Sequence, residues 1–142
     1  MPEIDRLLVA FDGTPLARKA LEHALETYPG AEITALHVVD YVEESYGAEA
    51  LIGSEELRKR ANDRSASLLA SAKETAADRG REISTVTRVG KPARQIVAYA
   101  EEHGVDTIVI GSHGRSLVAR AILGSVAETV VRRAPTPVVV VR

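Results

Sequence analysis

Apolar positions change their period along this chain, and the changes divide it into elements. Arg6 to Phe11 (RLLVAF) is a short apolar run, as expected of a strand buried on both faces, and Asp12-Gly13 ends it. Thr14 then offers a helix N-cap with Pro15 at the first helical position, and Leu16, Ala17, Ala20, Leu21, Ala24 and Leu25 recur at helical spacing up to Pro29-Gly30. Glu32 to Val39 is short and β-branched, the second strand. From Asp40 to Ser54 the periodicity fails, which predicts a long, mobile loop. Leu57, Ala61, Leu68, Leu69, Ala72 and Ala76 mark a long helix over Glu55 to Arg79, stopped by Gly80. Glu82 to Val89 predicts a third, less buried strand suited to a sheet edge. Gly90-Lys91-Pro92 turns into a helix with Ala93, Ile96, Val97 and Ala100 on one face, ending at His103-Gly104. Thr107 to Ile110 is a fourth strand. A capping box of Ser125 and Glu128 opens a last helix carrying Val126 and Val130, with Arg132 and Arg133 at its negative end. Pro135 and Pro137 then lead into PVVVVR, a fifth strand.

Five strands alternating with four helices require parallel strands, crossover connections and helices on both faces: an α/β doubly wound, three-layer sandwich. No internal repeat competes with this, and 142 residues suit one domain, 1–142. Strand order stays open at this level, although the common solutions place the first strand centrally, beside a switch point.

Composition narrows the chemistry. The chain is 45% apolar and 27% charged, ordinary for a globular protein, with a net charge of −2 from interspersed signs. No field is available to hold nucleic acid or an anionic membrane without local help, so neither is an expected partner. The absence of cysteine excludes disulfides, thiolate nucleophiles and cysteine-ligated zinc. No apolar run of about 18 residues occurs and the N-terminus lacks a leader pattern, so the default expectation is a cytoplasmic location.

The candidate chemistry sits in GSHGRSLVARAILGS, Gly111 to Ser125, immediately after the fourth strand. Its frame is Gly111-x2-Gly114-x9-Gly124-Ser125. Glycines let backbone N–H groups turn inward around an anion, a following helix adds its own free N–H groups, and open α/β sheets bind ligands at the carboxyl ends of strands. Phosphate is the guest this arrangement suits; plain turn formation is the competing reading.

With Asp12-Gly13-Thr14 after strand one, HVVD closing strand two, and GSHG-x9-GS followed by a helix and PVVVV, the chain resembles the universal stress protein family over essentially its whole length. It is similar in particular to the nucleotide-binding branch, marked by G-x2-G-x9-G-[S/T]. The resemblance implies a Rossmann-like, adenine nucleotide alpha hydrolase-like sheet of order 3-2-1-4-5, with ATP at the carboxyl ends of strands one and four. It also implies a homodimer, whose expected interface includes the final strand, Pro137 to Arg142, an edge in that order. Carried over by position, it puts Asp12 beside the ribose or a phosphate-bound metal, and the backbone of Val38 and Val39 against the adenine edge. The phosphates fall to Gly111, Ser112, His113, Gly114, Arg115, Gly124, Ser125 and Val126. Mg2+ or Mn2+ would be held by the phosphates, with no dedicated protein ligand set. The Asp40 to Ser54 loop matches no family pattern.

Each of these residues also has a plainer reading. Asp-Gly is a strong turn pair, so Asp12 could serve the turn alone. Ser125 could be only an N-cap, its hydroxyl committed to the Glu128 N–H. His113 lacks a sequence-placed acid or nucleophile and suits a loop position near phosphate better than catalysis. Arg115 could reach a phosphate or stay solvated. His37, inside a strand, suits a core histidine, and Arg58-Lys59-Arg60 a solvated helix face. No residue is assigned a catalytic role, and with no P-loop and no evident general base, binding is easier to support than turnover. The function expected is an ATP-binding regulatory or stress protein acting through a downstream protein partner. A slow ATP hydrolase or phosphotransferase using the same pocket, or a nucleotide-free dimerisation module, are the alternatives.

Overall fold

The computed structural model describes residues 4–44, 53–113 and 123–142. Its strands are β1 (Arg6–Ala10), β2 (Glu32–Val39), β3 (Ser84–Val89), β4 (Thr107–Gly111) and β5 (Val138–Val141); its helices are α1 (Pro15–Thr27), α2 (Tyr41–Glu44), α3 (Ser54–Ala77), α4 (Pro92–Glu102) and α5 (Ser125–Arg133). All five strands join one parallel sheet of order β3-β2-β1-β4-β5. The short apolar runs form its centre: Leu7, Leu8 and Val9 of β1, and Ile108 and Val109 of β4, are almost fully buried. That is the burial expected of strands covered on both faces.

Alternation along β1 divides the core between two layers. Leu7 and Val9 pack with Ala20, Leu21 and Ala24 of α1 and with Leu69 and Ala72 of α3. Leu8 faces the other way, into Ile96, Tyr99 and Ala100 of α4 and Ala127 and Val130 of α5. Hence β1 leads to a helix on one face and its neighbour β4 to a helix on the other. The crevice between their carboxyl ends is the topological switch point.

Local chemistry explains the boundaries. Thr14 caps α1, its Oγ1 accepting from the Ala17 N–H at 3.3 Å, with Pro15 at the first helical position. Gly80 stops α3 with φ +68°, its N–H donating to the Ala77 carbonyl. β3 is the half-exposed edge strand its composition predicts.

Two expectations are corrected. The Asp40 to Ser54 stretch is not loop throughout: Tyr41–Glu44 forms α2, started by the Asp40 carboxylate, whose Oδ1 accepts from the Val42 N–H at 3.1 Å. The Tyr41 hydroxyl donates to Asn62 Oδ1 at 3.2 Å and the Arg58 guanidinium lies over its ring, so this turn docks on α3. The rest of that stretch before Gly53 lies outside the described residues. The second correction is the capping box of α5. Its N-cap is Gly124, with no side-chain cap, and Ser125 is the first helical residue. The Gly124 N–H is held by the Ser112 carbonyl at 2.7 Å and its carbonyl takes the Glu128 N–H at 2.9 Å, so the helix begins one residue early. The Glu128 carboxylate pairs with Arg132 at 2.8 Å instead.

Candidate functional site

A cavity of about 500 Å³ opens over the carboxyl ends of β1, β2 and β4. Its walls come from all three strand ends and the starts of three helices: Asp12 after β1, Ala17 of α1, Val38 and Asp40 at the end of β2, Gly111 to His113 after β4, Pro92 and Ile96 of α4, and Leu123 to Glu128 at the start of α5. The volume and the mixture of apolar walls with a few polar groups are those of a small-molecule site.

Asp12 serves the turn and the cavity together. Its Oδ1 accepts from the Thr14 N–H at 3.1 Å and the Thr14 hydroxyl at 2.6 Å, an Asx-type turn that feeds the capped start of α1. The two residues assigned to the adenine edge separate. The Val39 carbonyl accepts from the Gly90 N–H at 2.9 Å, so its peptide faces β3, and Val39 does not line the cavity. The Leu36 carbonyl accepts from the Phe11 N–H at 2.8 Å, on the β1 side. By the two-residue repeat of a strand, the peptide groups of Val38 face that same side, where β1 has ended.

Gly111 lines the cavity with its backbone, yet its missing side chain answers to packing. A Cβ there would meet Leu16 Cβ at 3.0 Å and the Leu16 backbone at 3.2 Å, so β4 ends against the first turn of α1. Ser112 is pinned in both directions: its N–H donates to the Val141 carbonyl at 2.7 Å and its carbonyl takes the Gly124 N–H. Across from it, α5 presents the N–H groups of Ser125, Val126 and Ala127, which no helical carbonyl can reach and no side chain caps. Positive partial charge gathers there, as at anion-binding helix ends. Gly114 and Arg115 lie outside the described residues.

His113 also lines the cavity. Its Nδ1 lies 3.0 Å from Ser112 Oγ, while its Nε2 is buried with no hydrogen-bond partner. A buried nitrogen left in that state costs about 1–3 kcal/mol. Among the described residues no other buried side-chain nitrogen or oxygen is in that position, and none gathers three or more metal-ligating side chains. No described helix is long and apolar enough to cross a membrane.

Three features of the site escaped sequence reasoning. Asp40, beyond the last strand residue, lines the cavity while its Oδ2 sits 3.6 Å from Lys91 Nζ. His37 is the core histidine it was expected to be, with Nδ1 2.7 Å from Ser65 Oγ, which in turn lies 2.7 Å from Thr87 Oγ1; it also borders the cavity. The α4 start contributes Pro92 and Ile96 to the wall. Only the HVVD ending hinted at the first, and nothing in the sequence joins α4 to the glycine loop.

Comparison with known proteins agrees with this geometry. Residues 3–142 match the family described as the Universal stress protein family. Universal stress protein YxiE of Bacillus subtilis is 33% identical over 154 residues, spanning 97% of this chain and 99% of the relative. The solved structure of protein MJ0577, from Methanocaldococcus jannaschii, superposes with a TM-score of 0.85 at 30% identity, covering 99% of this chain and 96% of its own. Two more distant structures share the fold. One is a universal stress protein in complex with cAMP, at 24% identity and TM-score 0.72, covering 97% of each chain. The other is an Arabidopsis thaliana family member with AMP bound, at 20% identity and TM-score 0.69, covering 96% of this chain and 90% of its own.

Proposed function

This chain belongs to the universal stress protein family, and on that premise we propose that it is an ATP-binding regulatory protein, one domain over residues 1–142, that works as a homodimer. The observation that carries the reading is the cavity at the switch point, walled on one side by the uncapped N-terminus of α5 and on the other by the open edge of β2. In this reading the phosphates lie against the N–H groups of Ser125 and Val126 and the backbone of Gly111, Ser112, His113 and Gly124. Gly114 and Arg115 belong to the same sequence frame. The adenine meets the Val38 peptide, and Asp12 stands near the ribose. Val39 supports this edge from the β3 side. The cAMP and AMP found on the two distant relatives support an adenine nucleotide as the class of ligand. Mg2+ or Mn2+ fits as a companion of the phosphates, neutralising their charge, with Asp12 among the carboxylates that line the cavity.

Binding is favoured over rapid turnover because two of the polar residues here are engaged in shaping the site: Asp12 holds the Thr14 turn and Ser112 holds both β5 and Gly124. Mass spectrometry of the small molecules released from purified, denatured protein tests the proposal directly, with calorimetric titration of ATP into nucleotide-stripped protein beside it. Recovered adenine nucleotide and a saturable ATP isotherm are expected. A stripped protein that takes up no adenine nucleotide at millimolar concentration overturns the reading.

A further inference from the structure

The Ser112–His113 pair stands apart from the other walls of the cavity. Ser112 is fixed at its N–H by β5 and at its carbonyl by Gly124, which holds its backbone in place, and the His113 ring meets its hydroxyl through Nδ1 at 3.0 Å. His113 lines the cavity while the far nitrogen of its ring is shut away from solvent without a partner. Native folds rarely leave a buried nitrogen in that state, and this one belongs to a residue that already lines the cavity.

We propose that His113 is a ligand-responsive reader of phosphoryl groups: Nε2 is buried and unsatisfied when the cavity holds no anion, and turns out to donate a hydrogen bond to a phosphate oxygen when a nucleotide is bound. This rests on the nucleotide reading above and deepens it, because it makes the site discriminate phosphorylated from unphosphorylated nucleosides. The Ser112 hydroxyl suits the role, since it can donate to or accept from Nδ1 and so tolerates the ring as neutral Nε2–H or as imidazolium. Ser112 is the positioning residue, His113 the one that touches ligand. The three open N–H groups at the start of α5 line the same cavity, so an anion seated there has donors from both walls.

The proposal predicts that binding and stability move in opposite directions. In the double variant Ser112→Ala/His113→Phe both polar partners are replaced together, so neither is left orphaned. The ligand-free variant should unfold at the wild-type temperature or above it, while the ratio of ATP to adenosine affinity falls by about tenfold or more, the size of a charge-assisted hydrogen bond. A residue that merely supports the fold would lower stability and both affinities together. In the wild-type protein, the His113 Nε2 resonance should shift on titration with ATP and stay in place with adenosine. An unchanged affinity ratio in the folded variant, or an Nε2 resonance that ATP leaves unmoved, overturns the proposal while the nucleotide reading stands. Wild-type protein that binds neither ATP nor adenosine overturns both. If the double variant does not fold, the wild-type resonance decides alone.

Discussion

A Cβ built on Gly13 would lie 2.2 Å from Cδ2 of Leu68, so the turn that ends β1 rests directly against α3. Gly13 also has φ +79°, in the left-handed region that side chains resist. One position therefore carries two separable demands, one on backbone conformation and one on space. Gly13→Ala should cost about 1–3 kcal/mol, the strain of a non-glycine residue at positive φ plus a displaced leucine. Leu68 is half-buried and its methyl group can yield, so most of the loss should be conformational. A double-mutant cycle with Leu68→Ala, read by urea unfolding, checks this: a coupling energy that accounts for the whole loss would mean that space, not φ, requires the glycine.

The contrast between Gly13 and Gly111 shows what the sequence made legible. Both read as turn or ligand glycines because the chain records only that a side chain is missing. For Gly13 the chief demand is its positive φ, local to the Asp-Gly turn, with Leu68 of α3 adding a second; for Gly111 the reason is Leu16 at the start of α1, far away in sequence. Elements whose signals are local were readable almost to the residue, β2 over Glu32–Val39 and α1 from its Thr14-Pro15 start. The α5 cap was not, because what decides it is the bond from Gly124 to Ser112 across the glycine loop. Tyr99, absent from the apolar face expected of α4, is buried with its ring stacked on His103 at 3.9 Å, its hydroxyl having concealed an apolar role. The cavity followed from strand ends and glycines. Asp40 and α4 joined it through sheet order, which periodicity does not encode.

Gly124→Asp separates the helix-end account of the site from a purely structural one. The N-cap here has φ −63° and ψ 159°, a conformation aspartate adopts readily, and its carboxylate would bond the free N–H groups of the first turn. Stability should rise by about 0.3–1 kcal/mol. ATP affinity should fall by at least about tenfold, because the same N–H groups would be occupied and a negative charge would face the phosphates. Thermal unfolding and calorimetry on the one variant read both effects. A gain in stability with ATP affinity intact would move the phosphates away from α5.

Asp106 gives the fold a dependence on pH remote from the site. Its Oδ2 accepts the N–H groups of Asp5 and Arg6, each at 2.9 Å, tying the start of β1 to the start of β4, and those two bonds hold its carboxyl below the usual range. A lowered folded value means that the stabilisation is complete above the unfolded value of about 3.9 and is lost as pH falls through the folded one. Asp106→Ala should therefore lower the urea midpoint at neutral pH. The gap from wild type should narrow only below about pH 4. A gap that closes near neutrality would assign the effect to a different group.

The homodimer proposed above would use β5, and the structure sharpens how that can be tested. All four valines already have cover from their own chain: Val139 and Val141 belong with the core under α1 and α3, Val138 and Val140 with the core under α4 and α5. Changing those side chains would injure the monomer, so the contact to test is the strand's outer backbone. The carbonyl of Pro137 accepts from Ile108 and that of Val141 from Ser112, so the odd-numbered peptide groups face β4. By the repeat of two, the N–H and carbonyl groups of Val138 and Val140 point outward, where an edge invites pairing with another chain. A second copy brought in by a two-fold axis would pair there in antiparallel fashion. Val140→Pro removes one outward N–H and leaves every β4 bond in place, a substitution edge strands tolerate. Light scattering should give the dimer mass for wild type and the monomer mass for Val140→Pro at equal concentration, with Val140→Thr remaining dimeric. A wild-type chain that stays monomeric at high micromolar concentration would remove β5 from consideration as an interface, and a Val140→Pro dimer would place the interface on another surface.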